Sequence, residues 1–195
     1  AAAQHGYWQQ KVAYTMDVTI DHENHQFTGT QKLVYTNNSP DVLDKVYYHL
    51  YFNAFQPGSM MDEHSRAVVD PDRRVGSRIL ELKDTEIGYH KIESLSQDGE
   101  VLDFEVIGTV MKVLLKNPIQ PGQTSTFDMT FNSQVPVQIR RSGRNNSEGI
   151  DYTMTQWYPK LAEYDRYGWH PDQYIGREFI APYGTFDITI NIHKD

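Results

Sequence analysis

The sequence predicts an all-β fold, built as a curved antiparallel β-sheet or a β-sandwich with long loop insertions. Apolar residues alternate with polar ones in most of its regular segments, the pattern of strands that bury one face. Turn-forming residues separate these segments, and the apolar spacing of a helix is never sustained. Several short strands at this spacing are typical of a sandwich or an open curved sheet.

The predicted strands share one alternation of apolar and polar side chains. In residues 12–20, Val12 and Tyr14 point to one face while Thr15 points to the other. The same pattern recurs in residues 46–52, 102–106, 111–115, 127–131 and 186–192. Each segment is therefore expected to be a half-buried strand with one face on the core.

Short polar segments connect the predicted strands. We interpret residues 21–25 as the loop of a first hairpin and residues 97–100 as a second. In the second, Asp98-Gly99 supplies the positive φ angles that a tight turn needs. Residues 118–122 contain two prolines and a glycine, and they join two further strands.

Two stretches break the alternation. Residues 57–84 are polar and contain prolines and arginines, so we expect a long insertion with little regular structure. Residues 160–183 are rich in Tyr, Trp, Gly and Pro, and we expect an ordered loop that crosses a surface.

Length and composition bound the class of protein. The 195 residues suit one domain: we expect residues 1–6 to be a tag or disordered leader and residues 7–195 to form a single β-sandwich-like domain. The formal net charge of −8 disfavours a nucleic-acid partner, which requires a basic face. No apolar run approaches the length of a membrane span, and the absence of cysteine excludes disulfides and Cys-ligated zinc.

The sequence contains no strong catalytic constellation. His22 and His25 are three residues apart in a polar turn, not four apart on a helix, so we interpret them as an exposed hairpin tip. His49 and His193 fall on the polar face of predicted strands, where solvated imidazoles are expected. A Gly-x-Ser-x-Gly elbow and a phosphate-binding glycine loop are both missing. We therefore expect neither a catalytic residue nor a metal ligand in these residues.

Residues 153–160 place an amide beside two large aromatic side chains. Gln156, Trp157 and Tyr158 precede Pro159, which cannot donate to a β-ladder and so ends the predicted strand. Binding pockets and interfaces favour this combination. A core tryptophan beside a hydrogen-bonded glutamine explains the same residues equally well, and both interpretations stay open at this point.

From Tyr7 to His193 the order of elements resembles the N-terminal domain of the gluzincin aminopeptidases, the family of aminopeptidase N and the leukotriene hydrolase. The similar segments are the opening hairpin with Tyr14, Ile20 and Phe27-Thr28-Gly29, the strand at 46–50, the strand and Pro-containing turn at 114–123, and the closing strand at 186–192. Thr155-Gln156 stands where the family places a strand-end Gln or Glu. Gln156-Trp157-Tyr158-Pro159-Lys160 departs from the family's more familiar Ala-Arg pair and Phe-Pro-x-Phe-Asp-x-Pro stretch and resembles a bacterial branch, so roles after Pro159 are not assigned.

The resemblance implies a saddle-like, non-catalytic domain of a zinc metallopeptidase that removes N-terminal residues from peptides. Neither His-Glu-x-x-His nor the family's Gly-x-Met-Glu-Asn strand occurs in the sequence. We therefore expect a truncated protein whose zinc, bound by two His and one Glu, belongs to a C-terminal catalytic domain after residue 195. The partners implied are that catalytic domain and the peptide substrate, and the domain would cap the catalytic cleft.

Four residues are candidates for the functional site. Gln156 is expected to contact the first residue of the substrate near its free amine, through an amide oxygen that accepts from the ammonium. Trp157, Tyr158 and Trp169 are expected to form an interdomain surface. We expect export to the periplasm or the medium, because the similar bacterial proteins are often secreted. The alternative function is a free-standing carbohydrate- or protein-binding β-sandwich, with Trp157, Trp169 and nearby tyrosines as its platform.

Overall fold

The computed structural model describes residues 6–68 and 72–194, and within them the chain is mostly β, as predicted. Its strands are β1 (Lys11–Asp21), β2 (Gln26–Thr36), β3 (Leu43–His49), β4 (Tyr89–Gln97), β5 (Glu100–Val101), β6 (Phe104–Ile107), β7 (Val110–Ile119), β8 (Thr124–Gln134), β9 (Gly143–Arg144), β10 (Tyr152–Thr153), β11 (Lys160–Leu161), β12 (Tyr164–Asp165), β13 (Gly168–Trp169) and β14 (Gly184–Asn191). A 3-10 helix (Tyr51–Ala54) and an α-helix, α1 (Met60–Ala67), lie between β3 and β4. Residues 1–5 of the predicted leader lie outside the described residues.

The larger sheet contains six strands in the order β14-β1-β2-β8-β4-β5. β1 pairs with β2 from Lys11 opposite Thr36 to Asp21 opposite Gln26, so residues 22–25 form the tip of the predicted hairpin. The neighbouring pairs are antiparallel except at one edge, where β14 runs parallel to β1. A parallel pair needs a long crossover connection. Here that connection contains all the strands from β2 to β13, which lie between β1 and β14 along the chain.

The smaller sheet contains four strands in the order β11-β3-β7-β6. One core cluster includes buried side chains of both sheets, among them Tyr14, Phe27 and Phe131 from the larger sheet and Tyr48 and Val113 from the smaller. The two sheets therefore pack face to face as a sandwich, with alternate residues of the long strands in the core. Burial of these apolar faces is the main source of stability.

The second predicted hairpin is confirmed by its backbone. Asp98 and Gly99, between β4 and β5, have φ angles of 50° and 88°. Two left-handed residues in succession match the twist of the flanking strands. The Asp98 carboxylate also accepts hydrogen bonds from the Thr126 backbone N–H at 2.8 Å and the Ser125 hydroxyl at 2.7 Å, which ties the turn to β8.

The predicted insertion at residues 57–84 contains a regular helix that was not predicted; its residues 69–71 lie outside the described ranges. α1 begins after Ser59, whose Oγ accepts a hydrogen bond from the Asp62 backbone N–H at 3.2 Å. The buried Asp62 carboxylate accepts two hydrogen bonds from Arg66, at 3.0 and 3.1 Å. Ser-x-x-Asp is a helix-start signal that the proline and arginine content of this stretch obscured. α1 contributes Met61 to a second core cluster.

β3 ends at His49, earlier than predicted, and the chain turns into the 3-10 helix. The prediction of a solvated His49 was therefore wrong: the side chain is 1% exposed. The ring of Tyr51 turns back and stacks on the imidazole at a centroid distance of 5.1 Å. Burial lowers the pKa of His49 to about 4, so this imidazole is neutral at pH 7. His193 is exposed, as predicted.

Candidate functional site

Gln156 lies in a bend between β10 and β11, not at the end of a strand as predicted. Its φ angle is 54°, in the left-handed region that is unfavourable for a residue with a Cβ. Ser142 holds the preceding residue: its Oγ accepts from the Thr155 backbone N–H at 2.9 Å and donates to the Thr155 carbonyl oxygen. A left-handed non-glycine residue held by its neighbours is a local strain that proteins place preferentially at functional sites.

Lys160 is the polar partner of the half-buried Gln156 side chain. The lysine Nζ donates a hydrogen bond to Gln156 Oε1 at 3.2 Å. Lys160 begins β11, where it pairs with His49 of β3. Burial lowers the pKa of Lys160. Sequence reasoning missed this contact, because nothing in the spacing shows that a bend would bring the two side chains together.

Trp157 and Tyr158 belong partly to the core and partly to the surface. The ring of Trp157 lies 5.9 Å from that of Phe27, and the ring of Tyr158 lies 5.4 Å from that of Tyr14. The two rings also contact each other at 5.4 Å. Trp157 is half-buried, whereas Tyr158 is 9% exposed. Two interpretations were left open by the sequence, an interface and a core position. The pair fits both in part, because its rings pack against the core while Trp157 stays partly exposed.

Trp169 lies in a different cluster of rings. Its indole is 5.8 Å from the ring of Tyr47 and 5.1 Å from that of Tyr164, and it is half-buried. It stands on β13, which forms a short hairpin with β12. The structure therefore brings Trp157 and Tyr158 together and places Trp169 with other partners.

β14 carries an exposed apolar stripe, made of Phe186, Ile188, Ile190 and Ile192, of which the last lies just past the strand. Their exposed fractions are 47, 39, 54 and 66%, although the alternation predicted a half-buried strand. The β1 side chains that pair with Phe186, Ile188 and Ile190 are at most 3% exposed. The stripe therefore lies on the core-facing side of the larger sheet. The side chains that cover this side of β1 do not extend over β14, so the stripe stays exposed.

The stripe is continuous with the aromatic pair described above. The ring of Phe186 lies 6.0 Å from that of Tyr158 and stacks on that of Tyr14 at 5.1 Å. Trp157, Tyr158 and the stripe therefore form one apolar surface, called the β14 surface below. The sequence predicted Trp157 and Tyr158 as part of a surface, but it predicted the apolar side of residues 186–192 as buried and did not indicate that the two adjoin.

No group of three metal-ligating side chains occurs in residues 6–68 and 72–194. His22 is exposed at the hairpin tip, as predicted. His25 is only partly exposed, because its Nδ1 lies 2.6 Å from the hydroxyl of Tyr152. The described part of the chain also contains no helix long and apolar enough to cross a bilayer.

An aromatic cleft of about 670 Å³ lies between residues 6–10, the β12–β13 hairpin and residues 179–183. In its wall the rings of Trp8 and Tyr164 stack with a centroid distance of 6.1 Å. Tyr7 and Tyr183 also line it and are 88 and 87% exposed. The sequence drew attention to the aromatic residues of the 160–183 loop, but not to Tyr7 and Trp8 or to the cleft that these residues form together.

No protein-family model and no curated protein sequence matches the chain. Solved structures do match. A mutant M1 zinc metallopeptidase from Deinococcus radiodurans, bound to a Tyr-Ser-Ala substrate, superimposes with a TM-score of 0.51 and 12% identity, over 94% of this chain and 33% of that chain. A mutant two-domain M1 zinc metallopeptidase bound to L-arginine gives 0.51 and 12%, over 97% of this chain and 34% of that chain.

This chain has a fold found in M1 zinc metallopeptidases. It spans about a third of the length of the structures that it matches. The resemblance to the gluzincin aminopeptidases is therefore confirmed at the level of the fold. The bacterial branch, the N-terminal placement and the role of Gln156 stay predictions, since 12% identity carries no residue roles.

Proposed function

We propose that the chain is the N-terminal accessory domain of a zinc-dependent aminopeptidase, which removes N-terminal residues from peptides. In this proposal it caps the catalytic cleft and supplies one wall of the substrate pocket. The zinc, held by a C-terminal catalytic domain, would activate a water for attack on the scissile carbonyl. The fold shared with M1 zinc metallopeptidases supports the class of enzyme.

The β14 surface is the observation that carries the accessory role. Soluble monomeric domains rarely leave a contiguous row of large apolar side chains open to water, and such rows mark interaction sites. Among the described residues β14 is also the edge of its sheet, and no strand of that part of the chain pairs with the backbone groups on its outer side. A catalytic domain docked here would cover the stripe together with the exposed part of Trp157.

Gln156 is the residue that we propose for the substrate pocket. It precedes Trp157, so a domain that covers the β14 surface comes close to its side chain. Ser142 and Lys160 hold the bend and the amide before any substrate arrives. Such preorganisation reduces the entropy lost on binding.

Substitution of Gln156 in the full-length enzyme tests this part of the proposal. Gln156→Ala should reduce kcat/KM about tenfold or more, equivalent to about 1.4 kcal/mol, with little change in Tm. Gln156→Gly removes the same contact and also relieves the left-handed strain, so it should lower kcat/KM equally while Tm stays constant or rises. A fall in Tm with unchanged kinetics in both variants would assign the residue a purely structural role.

The aromatic cleft favours a second candidate function, that of a carbohydrate- or protein-binding module. Stacked rings such as those of Trp8 and Tyr164 provide flat apolar faces for a sugar or a peptide side chain. Calorimetric titration of the chain with soluble oligosaccharides and with tyrosine-rich peptides discriminates the two functions. Saturable binding that is lost in Trp8→Ala and kept in Trp157→Phe would favour the binding module. If neither probe binds, the aromatic cleft no longer supports this function.

A further inference from the structure

The aromatic cleft lies where two segments of the chain enter the larger sheet side by side. β1 and β14 run parallel, and Val12 of β1 pairs with Gly184 of β14. Residues 6–10 and 179–183, which precede these strands, therefore meet at one end of the sheet and form two walls of the cleft. A Cβ on Gly184 would overlap Val12, so the glycine permits this close approach.

The rings of the cleft are held in place by hydrogen bonds outside it. The Gln10 side-chain oxygen accepts a hydrogen bond from the Asn38 backbone N–H at 2.9 Å, which fixes the segment that carries Trp8. The Tyr164 hydroxyl donates to the Asp41 carboxylate at 2.9 Å. Trp8 stacks on Tyr164, so both rings are positioned before a ligand arrives. Such preorganisation reduces the entropy lost on binding.

Glu163 brings a partly buried carboxylate without a cationic partner to this cleft. It lines the cleft, and it forms no ion pair within the part of the chain that the structure describes. Burial and the nearby Asp165 carboxylate raise the pKa of Glu163 by more than His170 lowers it. A cation bound beside Glu163 would compensate this charge and reverse the unfavourable effect of burial.

The other charged side chains that line the cleft do not supply this cation. Asp165 is a second carboxylate, and its Oδ1 lies 2.9 Å from His170 Nε2. The Arg166 guanidinium lies over the ring of Tyr167, 4.7 Å from the centroid, and donates to the hydroxyl of that tyrosine at 2.7 Å. The cleft thus combines aromatic walls with an excess of negative charge.

We propose that the aromatic cleft binds an organic cation, with the positive group beside Glu163 and the apolar part against the rings of Trp8 and Tyr164. Aromatic faces attract cations through their quadrupole, and more strongly where water is excluded. The volume of about 670 Å³ suits a small molecule or a long side chain. A neutral sugar would use the rings but leave the carboxylate without a counter-charge. This inference does not rest on the proposed peptidase function.

Titration of the 195-residue chain with tetramethylammonium chloride and with tert-butanol tests the role of charge. The two ligands are similar in size, but only the first is positively charged. With ¹⁵N-labelled protein, tetramethylammonium should shift the indole N–H signal of Trp8 saturably and bind about tenfold or more tightly than tert-butanol. Sodium chloride at equal ionic strength should leave the signal unchanged. Equal affinity for both ligands, or no saturable shift, would overturn the proposal.

Substitutions identify the residues that bind the cation, with the backbone amide signal of Tyr164 as the readout. Glu163→Gln removes the charge and keeps the shape, and Trp8→Leu keeps an apolar side chain but removes the aromatic face. Each should weaken tetramethylammonium binding about tenfold. The control Glu100→Gln removes an exposed acid of β5, at the opposite edge of the sheet from β14, and should have no effect. If Glu163→Gln binds as tightly as Glu100→Gln, the proposal is wrong.

A third titration distinguishes two sources of the cation, a free quaternary ammonium compound and a basic side chain of a peptide. Choline represents the first, and the acetylated amides of lysine and arginine represent the second. Tighter binding of choline would assign the cleft to a small quaternary ammonium ligand, and the reverse order to a peptide side chain. The acetylated amide of norleucine is the neutral control, and its binding as tightly as the cations would contradict an organic-cation site. Absence of peptidase activity in the full-length protein would leave these results unchanged.

Discussion

Two buried histidines show what single residues contribute to this domain. His90 is 3% exposed, stacks on Phe52 at 4.7 Å, and its Nδ1 lies 2.6 Å from the hydroxyl of Ser133. Burial lowers the pKa of His90 to about 3 and that of His49 to about 4. The alternation of apolar and polar residues could not predict that either side chain is buried. The burial of His49 depends on where β3 ends, and that of His90 on its contact with Ser133 in β8.

These shifts predict that stability falls with acidification. The unfolded chain protonates each histidine near pH 6.5, whereas the folded chain does so only near pH 3 to 4, so between these values the unfolded state binds more protons. At pH 5 each histidine should therefore cost about 2 kcal/mol of the stability present at pH 7. Urea unfolding measures this at both pH values. The free energy of unfolding of His90→Asn should fall between pH 7 and pH 5 by about 2 kcal/mol less than that of the wild type.

The matched control for this measurement is Ser94→Ala, an exposed substitution in the same strand as His90 that removes no ionisable group. It should leave the loss between pH 7 and pH 5 as it is in the wild type. If His90→Asn also leaves that loss unchanged, the burial of His90 does not set the acid response.

At the scale of elements, the positions of the strands were predictable from the sequence, but which of their faces are buried was not. The alternation in residues 12–20 and 186–192 predicted two strands, and both exist as β1 and β14. The same pattern is buried in β1 and exposed in β14, because burial depends on what packs above a strand and not on its own sequence. α1 was missed for a related reason: it is one short helix whose only strong signal is its cap.

The cap of α1 gives a prediction at this scale. Ser59→Ala removes the acceptor for the Asp62 N–H and the donor to the Ala54 carbonyl oxygen, so it should reduce the free energy of unfolding by about 1 kcal/mol. Denaturant unfolding measures this, with Ser147→Ala as the exposed control. Equal stability of the two variants would show that the cap does not stabilise α1.

At the scale of the whole molecule, the sequence predicted the fold class and the family resemblance but not the shape of the candidate site. Gln156, Trp157 and Tyr158 are adjacent in sequence, and the structure keeps two of them on the β14 surface. Trp169, placed in the same surface by residue type, packs instead with Tyr47 and Tyr164. The contact of Lys160 with Gln156 depends on a left-handed residue that no pattern in the sequence indicates.

In the proposed enzyme, the β14 surface docks this domain onto the catalytic domain of a zinc aminopeptidase. Charged substitutions within the stripe test it in the full-length protein. Ile188→Asp with Ile190→Asp places two carboxylates in the proposed interface, whereas Thr189→Asp places one on the opposite, polar face of the same strand. Removing apolar contact and burying unpaired charge should separate the domains.

The most direct measurement is the zinc-dependent aminopeptidase activity of these variants, together with limited proteolysis between the two domains. Wild type and Thr189→Asp are expected to be equally active and equally resistant to cleavage. The double variant should lose about tenfold or more in kcat/KM and be cleaved faster, because the cap no longer closes the cleft. A double variant as active and as resistant as Thr189→Asp, or a wild type without zinc-dependent activity, would contradict this docking.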